Sequence, residues 1–127
     1  MAREIHYFTF DDVLRTLHRL GIGPIRDYGL LDSSLYRPQT VVFGAESYPD
    51  LFEKAAALLQ SLARNHALLD GNKRLAWTAA TVFLVMNGFE VQGDEDGNLE
   101  FMLACARGDL ELEEITDWLR ANSEPVA

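Results

Sequence analysis

The stretch His66-Ala67-Leu68-Leu69-Asp70-Gly71-Asn72-Lys73-Arg74 gathers reactive residue types in an unusual order. A histidine comes first and a carboxylate follows four residues later. A Gly-Asn turn comes next, and then two cations where a helix is expected to begin. A helix N-terminus already carries partial positive charge, so carboxylates are preferred there and cations are electrostatically misplaced. Lys73 and Arg74 therefore reinforce the free backbone N–H groups of that terminus, and together these make an anion site suited to phosphate. Gly71 lets the backbone approach closely and tolerates positive φ. Asp70 suits Mg²⁺, which takes one or two carboxylates and completes its shell with phosphate oxygens and water. His66 suits a general base toward a hydroxyl attacking that phosphate. Base, metal carboxylate and phosphate cradle together describe phosphoryl or nucleotidyl transfer. Each residue also has a plainer role: His66 as a helix C-terminal cap, Asp70 as a turn residue or N-cap, Lys73 and Arg74 as a solvated face. Singly, each residue favours the plainer role; in this order, the two readings balance.

The elements around this stretch follow from hydrophobic spacing. Phe10, Val13, Leu14, Leu17 and Leu20 recur at helical intervals, with Thr9 as N-cap, Asp11 and Asp12 in the first turn and Gly21 past the end. Residues 21–29 are glycine-rich loop, and Leu30 to Leu35 form a short helix ending before Arg37-Pro38. Gln39 to Gly44 is β-branched and aromatic, which predicts one strand of a small hairpin or an extended flap. A helix from Tyr48 to about Asn65, with Pro49 in its first turn, presents Leu51, Phe52, Ala55, Leu58, Leu59 and Leu62 as one stripe. A second long helix runs from about Asn72 and stops at Asn87-Gly88. Phe89-Glu90-Val91 is extended, Gly93 to Gly97 an acidic turn, and two amphipathic helices cover about Asn98 to Arg107 and Leu112 to Ala121. The tail from Asn122 to Ala127 is expected to fray. The fold class expected is all-α: a mainly helical bundle of five or six helices, with at most one small β-hairpin flap, in one domain over residues 1–127.

Composition removes other classes. The 127 residues carry 11 Lys+Arg against 20 Asp+Glu, a net charge of −9, which disfavours broad binding to nucleic acid phosphates. Cys105 is the one cysteine, so no intrachain disulfide forms and no Cys/His zinc cluster exists. Leu75 to Met86 is the strongest apolar stretch, and it is too short for a membrane span of about 20 residues. The opening Met1 to His6 has no leader-type apolar run, so a soluble, cytoplasmic domain is expected.

The residues His66, Leu68, Asp70, Gly71, Asn72, Lys73 and Arg74 resemble the motif of the Fic/Doc superfamily, H-x-F-x-[DE]-G-N-G-R-x-x-R, in the Doc (death-on-curing) form that ends N-K-R. The upstream segment Gly29-Leu30-Leu31-Asp32-Ser33-Ser34-Leu35-Tyr36-Arg37-Pro38 and the chain length are similar as well. The resemblance implies a toxin of a type II toxin–antitoxin system. It implies His66 as catalytic base, Asp70 as Mg²⁺ ligand, and Gly71, Asn72, Lys73 and Arg74 as the loop over the nucleotide phosphates. Lys73 stands where adenylyltransferases of the superfamily have a second glycine. The resemblance therefore implies ATP bound in the reverse sense and a γ-phosphate transferred to a protein hydroxyl. The acceptor so implied is a threonine of elongation factor Tu, with arrest of translation as the outcome.

Two positions depart from the motif. Leu68 replaces the usual Phe, and Trp77 occupies the place of the second arginine, which weakens nucleotidyl transfer by one phosphate-binding cation. Trp77 is expected as a core or pocket-wall aromatic, Thr78 as a helix-face residue, and His6 and His18 on the surface. Arg37 either lines the flap or is solvated. Thr40 to Gly44 offers an edge for an extended target segment, in addition to forming a hairpin. No Ser or Thr starts the superfamily's inhibitory pattern S/T-x-x-x-E-[G/N]. The resemblance then implies restraint by a separate Phd-like antitoxin whose disordered C-terminal segment folds as a helix in a groove near the site. The other function classes are Fic-type nucleotidyl transfer and a catalytically silent interaction domain.

Overall fold

The computed structural model describes residues 4–127; Met1 to Arg3, part of the opening stretch read above, lie outside the described residues. Thr9 caps α1 (Phe10–Leu20) through a reciprocal capping box with Asp12, and Gly21 closes it in the left-handed region at φ 64°. Helix α2 (Tyr28–Tyr36) is capped by the Asp27 side chain on the Leu30 N–H, and a 3₁₀ turn (Arg37–Gln39) follows. A two-residue hairpin joins β1 (Val41–Val42) to β2 (Ala45–Glu46), as the β-branched run predicted.

Helix α3 (Leu51–Arg64) begins at an Asp50–Glu53 capping box, so Pro49 precedes the cap and is not in the first turn. It is buried on nearly every face, well beyond the single stripe expected from spacing. Ala55, Ala56 and Ala57 face neighbouring helices with almost no side-chain bulk, which lets their backbones pack close. Helix α4 (Asn72–Met86) meets α3 with its own Ala76, Ala79 and Ala80, while Leu58, Leu62, Leu75 and Phe83 fill the layer between. Each such fully buried large side chain contributes about 1.5–3 kcal/mol.

Helix α5 (Glu95–Arg107) starts about one turn earlier than expected, because Asp94 accepts the Gly97 N–H as N-cap and recruits the acidic turn into the helix. Helix α6 (Leu112–Ala121) lies where periodicity put it and buries Ile115 and Leu119. Phe101 of α5 stacks on Trp118 of α6 at 3.8 Å, and Trp77 of α4 meets both edge-on.

The mainly helical reading holds, with six helices among the described residues. The expected fraying of the tail does not. Strand β4 (Ser123–Pro125) pairs antiparallel with β3 (Phe89–Val91), a second strand pair beyond the hairpin. Val126 N–H adds a bond to the Gly88 carbonyl at 2.9 Å. These are non-local backbone bonds to a polar tail, so side-chain patterning carries no trace of them. Asn87, read as a helix stop, is also buried and clamps the N-terminal segment through both backbone polar groups of His6. Among the described residues no helix is long and apolar enough to cross a membrane.

The α1 stripe is a second correction. Val13 is buried, but Phe10, Leu14 and Leu20 remain exposed, Leu14 by 45%. The helix docks on α4 with only part of its apolar face. A groove remains, lined by Leu14, Leu20, Thr78 and Val82.

Candidate active site

The site is built where α3 ends and α4 begins. His66 follows the C-cap residue Asn65 and takes φ 52°, the left-handed conformation that turns a chain out of a helix and that usually falls to glycine or asparagine. A histidine there costs about 1–2 kcal/mol of backbone strain, so surrounding bonds must hold it. Arg26 supplies one: its Nε donates to the His66 carbonyl at 3.0 Å, and its Nη2 donates to the same oxygen. The next residues are pinned by backbone pairing with the loop after α1. Arg26 and Asp27 N–H donate to the Ala67 carbonyl at 2.7 and 3.0 Å, Leu69 N–H to Pro24 at 2.9 Å, and Gly23 N–H to Asp70 at 3.0 Å. Leu68 is buried in the core and bridges to Ile25, so it anchors the loop as the smaller substitute for Phe was expected to do.

Gly71 closes the loop at φ 93° as the N-cap of α4, with Ile22 directly beneath it. A Cβ at Gly71 would lie 2.5 Å from the Ile22 Cβ, so both conformation and space require glycine. The Asn72 side chain turns back into the loop. Its Oδ1 accepts from Leu68 N–H at 2.9 Å and its Nδ2 donates to the Leu68 carbonyl at 3.0 Å. Asn72 is thus a splint for the loop, and only its backbone N–H faces the helix end. Among the described residues no side chain caps the N-terminus of α4, so its first N–H groups stay open beside Lys73 and Arg74.

All six expected residues, His66, Asp70, Gly71, Asn72, Lys73 and Arg74, line one cavity of about 380 Å³. His66, Asp70, Lys73 and Arg74 are solvent-exposed, as a site open to a ligand requires. Asp70 lies 3.8 Å from the Arg74 guanidinium, and at 81% and 58% exposure that pair contributes little to stability. The far wall is one that spacing did not reveal: Leu103, Ala106 and Arg107 of α5. Lys73, Arg74 and Arg107 thus set three cations against the single carboxylate of Asp70 on the cavity wall of a protein whose net charge is −9. That concentration favours a polyanion. Arg26 was also missed; its signal was only a charged residue in a glycine-rich loop.

Lys73 and Arg74 also border a second, apolar cavity of about 440 Å³, walled by Trp77, Leu99 and Met102. Trp77 is therefore both part of the aromatic cluster and a pocket wall, and Thr78 lines the apolar cavity rather than the cradle. Arg37 belongs to neither: it bonds Tyr48, Gln60 and Ser61 and holds the flap's base.

The Asp70 carboxylate is free on both oxygens apart from its long contact to Arg74, and among the described residues no three His, Cys, Asp or Glu side chains cluster. A single open carboxylate fits a Mg²⁺ ion that arrives with phosphate oxygens and keeps its waters, and does not fit an all-protein metal cage.

Residues 1–84 match the model of the Fic/DOC family. The chain is 55% identical over 93 residues to Toxin Doc of Mycolicibacterium smegmatis, covering 71% of each chain. It is 33% identical over 100 residues to Protein kinase doc of Escherichia phage P1, covering 79% of this chain and 78% of that one.

Proposed function

Because the chain belongs to the Fic/Doc family, we propose that it is a Doc-type toxin that transfers the γ-phosphate of ATP, with Mg²⁺, to a serine or threonine hydroxyl of a target protein. The observation that carries this is one cavity shared by His66, Asp70 and the uncapped, doubly cationic N-terminus of α4. The names of the two relatives, a toxin and a protein kinase, support it.

In this reading the backbone N–H groups of α4, Lys73 and Arg74 hold the polyphosphate. Asp70 would hold Mg²⁺, which when bound neutralises phosphate oxygens as charge shifts toward the leaving group. The His66 imidazole accepts the proton of the target hydroxyl as its oxygen bonds to the γ-phosphorus; the bond to the bridging oxygen breaks, and ADP leaves. The Asn72 side chain and Arg26 hold the loop that carries that imidazole, and Gly71 supplies its turn. Lys73 replaces a glycine of the nucleotidyl-transferring pattern with a long cation, which favours phosphate over nucleotide transfer.

Elongation factor Tu is the acceptor this reading names, which places the action in the cytoplasm. A Phd-like antitoxin is the restraining partner. The exposed apolar groove along α1 and α4 suits a helical segment of it, with Leu14, Leu20 and Val82 as contacts.

The test is intact-mass analysis of elongation factor Tu after incubation with the protein, ATP and Mg²⁺. A gain of about 80 Da that is lost with His66→Ala supports phosphoryl transfer, and a gain of about 329 Da moves the assignment to nucleotidyl transfer. Translation arrest that persists with His66→Ala would instead favour a silent binding domain.

A further inference from the structure

The cradle's cations, Lys73 and Arg74, both stand on the first turn of α4. The end of α5 lines the same cavity, where Leu103 and Ala106 are apolar and Arg107 supplies the charge. The Arg107 guanidinium donates from Nε to Asp109 Oδ2 at 2.9 Å, two residues further on. Among the described residues its two terminal nitrogens make no hydrogen bond. They are the fork that binds phosphate oxygens two at a time. Both partners of the ion pair are more than half exposed, so the pair is weak and a polyanion can compete with Asp109. An arginine in a last turn also meets the helix's negative end favourably. That effect does not choose a face of the helix, and this one looks onto the cavity.

We propose that Arg107 is a phosphate-binding residue of the site, closing on the polyphosphate of the nucleotide from α5 while the N-terminus of α4 holds it from the other side. The inference rests on the nucleotide reading above. It adds a residue more than thirty positions beyond the motif, on an element that the motif does not include. It also gives Asp109 a role: holding the guanidinium at the rim until a polyanion displaces the carboxylate.

Calorimetric titration of the intact protein with Mg²⁺-ATP, and separately with inorganic triphosphate, tests it. Arg107→Ala is expected to weaken both ligands about tenfold, and Arg107→Lys to recover part of the loss. The slope of log Kd against log salt should fall in Arg107→Ala. Arg15→Ala, which removes an equal charge from a position outside the cavity wall, should leave Kd within about twofold. Asp109→Asn should tighten ATP binding in the parent and not in the Arg107→Ala background. Unchanged affinity in a folded Arg107→Ala overturns the inference and leaves the site reading standing. A parent protein that binds neither ligand overturns both.

Discussion

Two short irregular segments flank α3, and they are held in opposite ways. The loop from His66 to Gly71 is fixed through its backbone: four N–H to carbonyl bonds join it to residues 23–27, Asn72 closes it from within, and Ile22 packs under Gly71. The hairpin from Val41 to Glu46 is exposed throughout and is tied down only at its base. There the buried Lys54 ammonium donates to Glu46 at 2.8 Å and to the Pro38 carbonyl at 3.3 Å, and Arg37 bonds Tyr48 and two α3 side chains. The hairpin's tip is Phe43, fully exposed at φ 51°, where its ring contributes nothing to the fold. The proposed role of His66, placing an imidazole against a hydroxyl, needs tolerances of well under 1 Å, and backbone bonds from several directions supply them.

The largest effect expected is on the chemistry. His66→Ala should lower phosphoryl transfer by about 10²- to 10⁴-fold in single-turnover assays while leaving the melting temperature nearly unchanged, since the side chain is exposed. A parallel loss of stability would break the claim that the loop is held by backbone and not by the imidazole.

Gly71→Ala should be the most destabilising change in either segment, costing about 2–4 kcal/mol in denaturant unfolding, because it combines positive φ with a clash against Ile22. A cost below about 1 kcal/mol would mean that the loop is as adaptable as the hairpin.

At the hairpin, Glu46→Gln should cost about 1–2 kcal/mol by leaving a buried ammonium without its carboxylate. Lys54→Met should cost less, since it removes the charge and keeps the volume, yet it should loosen the hairpin to the same extent. Equal stability costs would show that the contact is worth its packing alone.

The smallest effect sharpens the contrast between segments in time. Burial pushes the Cys105 thiol up to about 12, against a partial opposing pull from Arg64, so it is protonated and inert in the folded state. Because the folded value is raised, this thiol's contribution to stability is complete below about pH 8.5, its unfolded value, and is lost as pH rises toward 12. At pH 8, chymotryptic nicking at Phe43 should precede thiol labelling of Cys105 by a wide margin. Labelling that comes first would mean that the α5 wall opens more readily than the hairpin.

Much of this was legible in residues alone. Thr9 with Asp12, Gly21, Asn87-Gly88 and the spacing of apolar residues located α1, α4 and α6, because caps and 3.6-residue periodicity act within a few residues. The cavity's near wall was legible for the same reason: His66, Asp70 and Lys73-Arg74 are neighbours in sequence, and cations at a helix start stand out against the dipole.

Tertiary structure decided what depends on contacts across the chain. It paired the polar tail with β3, exposed half of the α1 stripe, buried Lys54 beneath the hairpin, and set Arg26 on the His66 carbonyl. It also brought Arg107 to the cavity that Lys73 lines. Local spacing and caps located most of the helices and grouped His66, Asp70, Lys73 and Arg74 in one turn. Which distant residues complete that chemistry follows from how α3, α4 and α5 pack, and helix packing is set by side-chain shape over whole faces, which local spacing does not encode.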